Sequence, residues 1–191
     1  MHVIVAGGPC TGKTTLVNNL KCELSRRGYS VYVIRDWARE IIKEQKESGG
    51  EILPWKNRVA FEIEVIKRHT SEYSKLEKYD VVLEDGGPFL ALSYCKVDNV
   101  KLPSEWVQYL MKFKDKVDIV LITDELSEYF IDRERWENLD YARKVHYEII
   151  LQHLELFGSK VYFIGATDNP VKRVSRALEI ILANMRKKLQ R

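Results

Sequence analysis

Three cysteines in 191 residues, Cys10, Cys22 and Cys95, are odd in number and lack metal-ligand spacing. They exclude a disulfide framework and read as free thiols in a reducing compartment. No run of eighteen apolar residues occurs, so no helical membrane span is expected. The one short apolar run at the amino terminus passes straight into glycines, unlike a secretory signal. An excess of charge is also lacking: 31 Lys and Arg against 28 Asp and Glu give a formal net charge of +3, too little to point to nucleic acid or a membrane surface. The basic end, Arg186-Lys187-Lys188 through Arg191, reads as a solvated helix end whose cations complement the dipole. Internal repeats and low-complexity segments are absent. What remains is 45% hydrophobic and 31% charged, enough for one well-filled core. A single domain over residues 1–191 and a cytoplasmic location are expected.

The most informative stretch follows the apolar run Val3-Ile4-Val5-Ala6. Gly7, Gly8, Pro9, Cys10, Thr11, Gly12, Lys13 and Thr14 spell G-x-x-x-x-G-K-[ST]. A buried strand ends, the glycines let backbone N–H groups converge, and a helix begins with its positive end facing the loop. Such a loop cradles phosphates: Lys13 reaches the β- and γ-phosphates, and the Thr14 hydroxyl reaches Mg²⁺. The nucleotide-binding set is therefore Gly7 to Thr14, with Thr15 beside it.

Four further runs resemble strands buried on both faces: Ser30 to Arg35, Asp80 to Glu84, Asp118 to Thr123 and Lys160 to Gly165. Between them lie helical patterns over Lys13 to Arg27, Arg58 to Leu76, Leu139 to Phe157 and from Val171 onward. This alternation predicts an α/β fold, a five-stranded parallel sheet with helices on both faces and the ligand at the carboxyl ends of the strands. The segments Glu47 to Pro54 and Val97 to Pro103 read as loops between helices.

Polar clusters fall at those strand ends. Asp36, after the second strand, reads as the N-cap of a helix through Lys46 and as a carboxylate able to take a proton from an acceptor hydroxyl; the two roles are compatible. Arg39, one turn on, suits an anionic or hydroxylated acceptor. Trp37 and Trp55 are either core residues or flank an acceptor base. Asp85, in Glu84-Asp85-Gly86-Gly87-Pro88, is the first choice for Mg²⁺ with Glu84 next; the alternative is a surface turn. Thr123-Asp124-Glu125 competes as the metal site and resembles the acid pair of ATPases that activate water. Arg133, Arg135 and Arg143, in a charged stretch before a helix, are candidates for a lid over about 125–138 that stabilises the transferring phosphoryl group; the other reading is a salt-bridged solvent face. His69, His146 and His153 lie on predicted helices and read as packing or surface residues.

Together these segments resemble the small P-loop nucleoside and nucleotide kinases, within the AAA-labelled P-loop kinase-like group that includes nicotinamide riboside kinase domains. Asp36-Trp37-Ala38-Arg39-Glu40 resembles that family's E-x-A-R-E stretch, with Asp for Glu. Asp85-Gly86-Gly87-Pro88 is similar to the D-G-x-P of adenylate kinases, and Gly86 stands where thymidylate kinases carry Arg. Leu90 to Lys96, including Tyr94, resembles the family's next helix. Asp132 to Asn138 resembles a D-G-x-R-x-E-D lid, with Arg135 on its arginine and Arg133 replacing its glycine. Gly165 to Pro170 falls where these kinases seat adenine.

The resemblance implies a P-loop kinase with ATP and Mg²⁺ as cofactors. It would transfer a phosphoryl group to a nucleoside-like or other small hydroxylated metabolite. Lys13, Asp36, Arg133 and Arg135 would act in catalysis, Asp36, Arg39 and Asp85 at the acceptor, and Thr14 with Asp85 at the metal. The expected partners are a nucleotide and a small acceptor, without nucleic acid or membrane, and homodimerisation is left open. The alternative is a P-loop ATPase or nucleotide-gated switch acting with a macromolecular partner.

Overall fold

A computed structural model describes residues 1–124, 138–165 and 169–190. Within them five strands form one parallel sheet: β1 (His2–Ala6), β2 (Val31–Ile34), β3 (Val81–Asp85), β4 (Ile119–Thr123) and β5 (Val161–Ile164), in the order β2-β3-β1-β4-β5. Each lies within a residue or two of its predicted run. Seven helices accompany them: α1 (Lys13–Arg26), α2 (Trp37–Ser48), α3 (Arg58–Ser71), α4 (Leu90–Val97), α5 (Ser104–Met111), α6 (Leu139–Phe157) and α7 (Pro170–Leu189). The predicted helix from Arg58 ends at Ser71 and continues only as a 3₁₀ turn, Glu72–Lys75. The loop predicted from Glu47 begins two residues later, because α2 runs through Ser48 and stops at Gly49 in the left-handed region.

Side chains alternate across a strand, so every strand of the covered sheet serves two cores. Val3 and Val5 of β1, Val81 and Leu83 of β3, and Ile119 and Leu121 of β4 pack under α1 and α7 with Leu16, Leu20 and Ile181. Ile4, Ala6, Val120 and Ile122 face the other way, against Ile66 of α3, Ala91 of α4, Leu110 of α5, and Val145 and Ile149 of α6. A smaller cluster of Ile41, Ile42, Leu53, Phe61 and Val65 joins α2 to α3. The strand order puts the carboxyl ends of β1, β3 and β4 side by side, and the phosphate loop leaves from the middle one.

Phe89 anchors the second core: it is fully buried, and its ring meets Phe157 edge-on with centroids 4.9 Å apart. Phe89→Ala is expected to cost about 3–5 kcal/mol in chemical denaturation, with the usual price of an aromatic-sized cavity. A loss under about 1 kcal/mol would mean that α4 and α6 do not close on that ring.

Candidate active site

Gly7 to Gly12 link β1 to α1. Gly12 sits in the left-handed region and precedes α1, whose first turn carries neither a capping side chain nor an acid. The first turn of a helix has no intrahelical acceptor for its N–H groups, and together with the positive end of the helix this setting favours an anion. Pro9 to Thr15 line a cavity of about 410 Å³. Gly7 and Gly8, expected among the nucleotide-binding residues, are not part of that lining. They hold the loop from behind: a Cβ on Gly7 would lie 2.4 Å from Thr123 Oγ1. Thr123 Oγ1 in turn lies 2.7 Å from Thr11 Oγ1 and 3.1 Å from Ala6 O, within hydrogen-bond distance of both, which clamps the loop to the tip of β4. Lys13 folds back so that Nζ donates to Gly8 O at 2.8 Å. Cys10 lines the cavity with φ of 60°, a left-handed backbone that non-glycine residues rarely adopt.

Across the cavity stands Asp85. It is 3% exposed, it shares a hydrogen bond with Thr14, and its Oδ1 has no hydrogen-bond partner. Burial, and then the nearby Asp36 carboxylate, raise its pKa, while Thr14, Lys13 and Arg39 pull it down. A buried carboxylate oxygen without a partner beside a threonine hydroxyl fits a hard cation that takes its remaining ligands from phosphate and water. Among the described residues no cluster of three or more His, Cys, Asp or Glu forms a cation cage.

Glu84, the second choice for the metal, is turned away. Since Leu83 faces α1, Asp85 does too, and Glu84 falls on the α3 side. There it is fully buried, with Oε2 2.7 Å from His2 Nε2, Oε1 2.7 Å from His69 Nδ1, and both oxygens accepting from the Tyr73 hydroxyl at 3.1 and 3.3 Å. Burial pushes its carboxyl up, but the hydrogen bonds from His2 and His69 outweigh this and bring it down to about 2.

Asp36 caps α2 as read from the sequence, accepting from Arg39 N at 3.4 Å, and its Oδ2 lies 3.5 Å from Arg39 Nε. Both residues line the cavity, so the capping position also faces it. Trp37 and Trp55 do not line it. Trp37 lies beneath the guanidinium groups of Arg35 and Arg68, and Trp55 is 42% exposed with Lys46 above its ring. Arg143 is exposed on α6 outside the cavity lining. Arg133, Arg135 and Glu125 lie outside the described residues, as does the lid segment up to Asn138, which caps α6. Asp124 of the competing acid pair has Oδ1 3.7 Å from His146 Nε2.

Sequence reasoning missed the far wall of the cavity, one face of α3. Arg58, Phe61, Glu62, Val65 and His69 all line it. Arg58 donates from Nε to Asp98 at 2.6 Å, from Nη1 to Glu62 at 2.9 Å and from Nη2 to the Tyr141 hydroxyl at 3.2 Å, with Tyr94 beneath it. Burial raises the Glu62 carboxyl to about 7 even though Arg58 opposes it. The (i, i+4) spacing of Arg58 and Glu62 was the signal available. All three histidines read as packing or surface residues are buried; His153 Nδ1 bonds Ile149 O, and burial lowers it to about 4. His69 lines the cavity, and His146 Nδ1 accepts from Gly8 N at 3.0 Å.

The Glu84 cluster sets an acid limit. Its folded pKa lies below the ordinary 4.5, so its stabilisation is complete above that pH and is lost as pH falls toward 2. Thermal melts should show the midpoint falling over that window. Glu84→Gln, which strips the charge from three buried donors, should cost about 3 kcal/mol or more at pH 7 and flatten the acid fall. An unchanged acid limb in that variant would contradict the assignment.

A family model described as an AAA domain matches residues 2–169. No curated protein matches the sequence. Among solved structures, a NadR protein in complex with NAD and AMP-PNP superposes with a TM-score of 0.65 at 19% identity, over 96% of this chain and 49% of that one. A NadR protein in complex with NR gives 0.66 at 21% identity, over 96% and 51%. Deoxyadenosine kinase from M. mycoides, with products dCMP and dCDP bound, gives 0.65 at 12% identity, over 96% and 100%. The chain thus spans about half the length of the NadR chains it resembles. Identities this low speak for a shared fold, and function has to be argued from the site. The five-stranded parallel sheet, the phosphate loop after β1 and the match over residues 2–169 lead to one conclusion: this chain belongs to the AAA domain family and has the P-loop fold of the small kinases.

Proposed function

We propose that this protein is an ATP- and Mg²⁺-dependent phosphotransferase acting on a nucleoside-like or other small hydroxylated metabolite. The observation that carries the reading is that one cavity joins two unlike halves. The loop Pro9–Thr15 and Asp85 form one. Asp36, Arg39 and an apolar wall with Ile42, Phe61, Val65 and Tyr94 form the other. Hydrolysis of a nucleotide needs no second compartment; transfer to an acceptor does.

In this reading the uncapped turn of α1 and the loop amides take the donor phosphates. Lys13 leaves Gly8 O to pair with them. Thr14 and Asp85 would hold Mg²⁺, which neutralises charge on the phosphate oxygens. Asp36, steadied by Arg39, takes the proton of the acceptor hydroxyl as its oxygen bonds the γ-phosphorus and the bond from that phosphorus to the β–γ bridging oxygen breaks, releasing ADP. Arg133 and Arg135, on a lid over about 125–138 of a single domain, complete the charge stabilisation and keep water out. The nucleotide ligands in the NadR and deoxyadenosine kinase structures support the donor half. A cytoplasmic location and a small-molecule acceptor belong to the same proposal.

The test is a screen of nucleosides, nucleoside monophosphates and vitamins for acceptor-dependent ADP release. Lys13→Ala should lower turnover by about two orders of magnitude or more in a protein that stays folded, since an electrostatic group at the transferring phosphate is lost. Asp36→Asn should lower transfer by about 10²–10⁴-fold while ATP binding stays within a fewfold. Rapid ADP release that no acceptor stimulates would overturn the reading and favour an ATPase.

A further inference from the structure

Gly8 is held on both sides of its peptide. Its carbonyl accepts from Thr11 Oγ1 at 2.9 Å and from Lys13 Nζ at 2.8 Å, and its N–H donates to His146 Nδ1 at 3.0 Å in a buried contact. The approach is close: a Cβ built on Gly8 would stand 2.7 Å from His146 Cβ and 3.2 Å from Ala142 O. A ring nitrogen that accepts from an N–H carries no hydrogen, so the neutral imidazole keeps its proton on Nε2. Asp124 Oδ1 lies 3.7 Å from Nε2, beyond hydrogen-bond distance, and its charge favours a proton on that nitrogen.

Both supports of the imidazole are themselves fixed. Asp124 N donates to Ile164 O at 3.3 Å, and Asp124 O accepts from Arg173 Nη2 at 3.3 Å, which ties the tip of β4 to β5 and α7. Helix α6 is pinned before His146 by Tyr141, whose hydroxyl donates to Asp98 Oδ1 at 2.6 Å and accepts from Arg58. His146 is a peg on a braced helix.

We infer that His146 is a positioning residue for the phosphate loop: it holds the Gly8 peptide in the orientation that shapes the cradle, and Asp124 orients His146. This rests on the nucleotide reading of the loop. It gives Asp124 a different role from activating water, the role suggested by its likeness to ATPase acid pairs. Without the imidazole, a buried N–H must find another acceptor, the loop visits other shapes, and apparent nucleotide affinity falls with the competent fraction.

The test is calorimetric titration of the full chain with Mg²⁺ and AMP-PNP, alongside the ¹⁵N–¹H signal and exchange rate of the Gly8 amide. His146→Ala and His146→Gln should weaken binding about tenfold or more. They should also speed exchange of that amide. His146→Asn places Oδ1 as many bonds from the backbone as Nδ1 and should restore affinity to within about threefold. A residue that merely fills space would show the reverse order, since Gln is nearer to His in volume than Asn. Gln binding as well as Asn, or a Gly8 amide that is indifferent to His146→Ala, would overturn the inference. If the wild-type chain fails to bind AMP-PNP, the nucleotide reading falls, and the Gly8 amide still decides whether His146 holds the loop. If His146→Ala does not fold, the Asn and Gln variants decide.

Discussion

A helix start without a capping side chain organises this protein. The first turn of α1 has no capping side chain and no acid, and it opens onto a cavity. Unpaired N–H groups at a partly enclosed helix start are unfavourable unless water or an anion meets them. The surrounding structure keeps that end open. Thr123 and Thr11 clamp the loop to β4, Gly7 permits their approach, and Lys13 rests on the loop's own carbonyl. The energetic opportunity left by the fold has the sign and shape of a phosphate.

The charges around it are sorted by the two-residue period of β3. Glu84 and Asp85 are adjacent acids with opposite surroundings. Glu84 faces three donors, is ionised and buried, and fastens β1 to α3. Asp85 faces Thr14 and keeps an oxygen without a hydrogen-bond partner at the cavity. One has its hydrogen bonds complete; the other keeps an oxygen facing the cavity without a hydrogen-bond partner. On the far side of the cavity the arginines are paired with carboxylates, Arg39 with Asp36 and Arg58 with Glu62 and Asp98. That side therefore mixes paired charges with the apolar Ile42, Phe61 and Val65 and carries little surplus positive charge.

Much of this was legible in the chain itself. The five buried runs and the glycine-rich motif located the sheet and the loop to within a residue or two, because burial on both faces and a left-handed turn both constrain composition. Asp36 was readable as the cap of α2 and as a carboxylate at the carboxyl end of the sheet, since both follow from its place after β2. Other features left no local mark. Helix α5, eight residues long between a proline and a 3₁₀ turn, is too short for a clear period. The uniformly apolar Val81-Val82-Leu83 hid which face each following acid would take. His146 meets a residue 138 positions away, and no spacing within α6 announces that contact. Nothing in the (i, i+4) spacing of Arg58 and Glu62 shows that the pair is buried rather than on the helix surface.

The central claim is that the loop after β1 receives the tail of a triphosphate, with Asp85 across from it. A crystal structure of the protein grown with Mg²⁺ and a non-hydrolysable ATP analogue tests it directly. The account predicts β- and γ-phosphates within the curve of Pro9–Thr15, Lys13 Nζ moved from Gly8 O onto them, and Asp85 and Thr14 on either side of the cation. Phosphates bound elsewhere, or Lys13 still resting on Gly8 beside an occupied cavity, would contradict it.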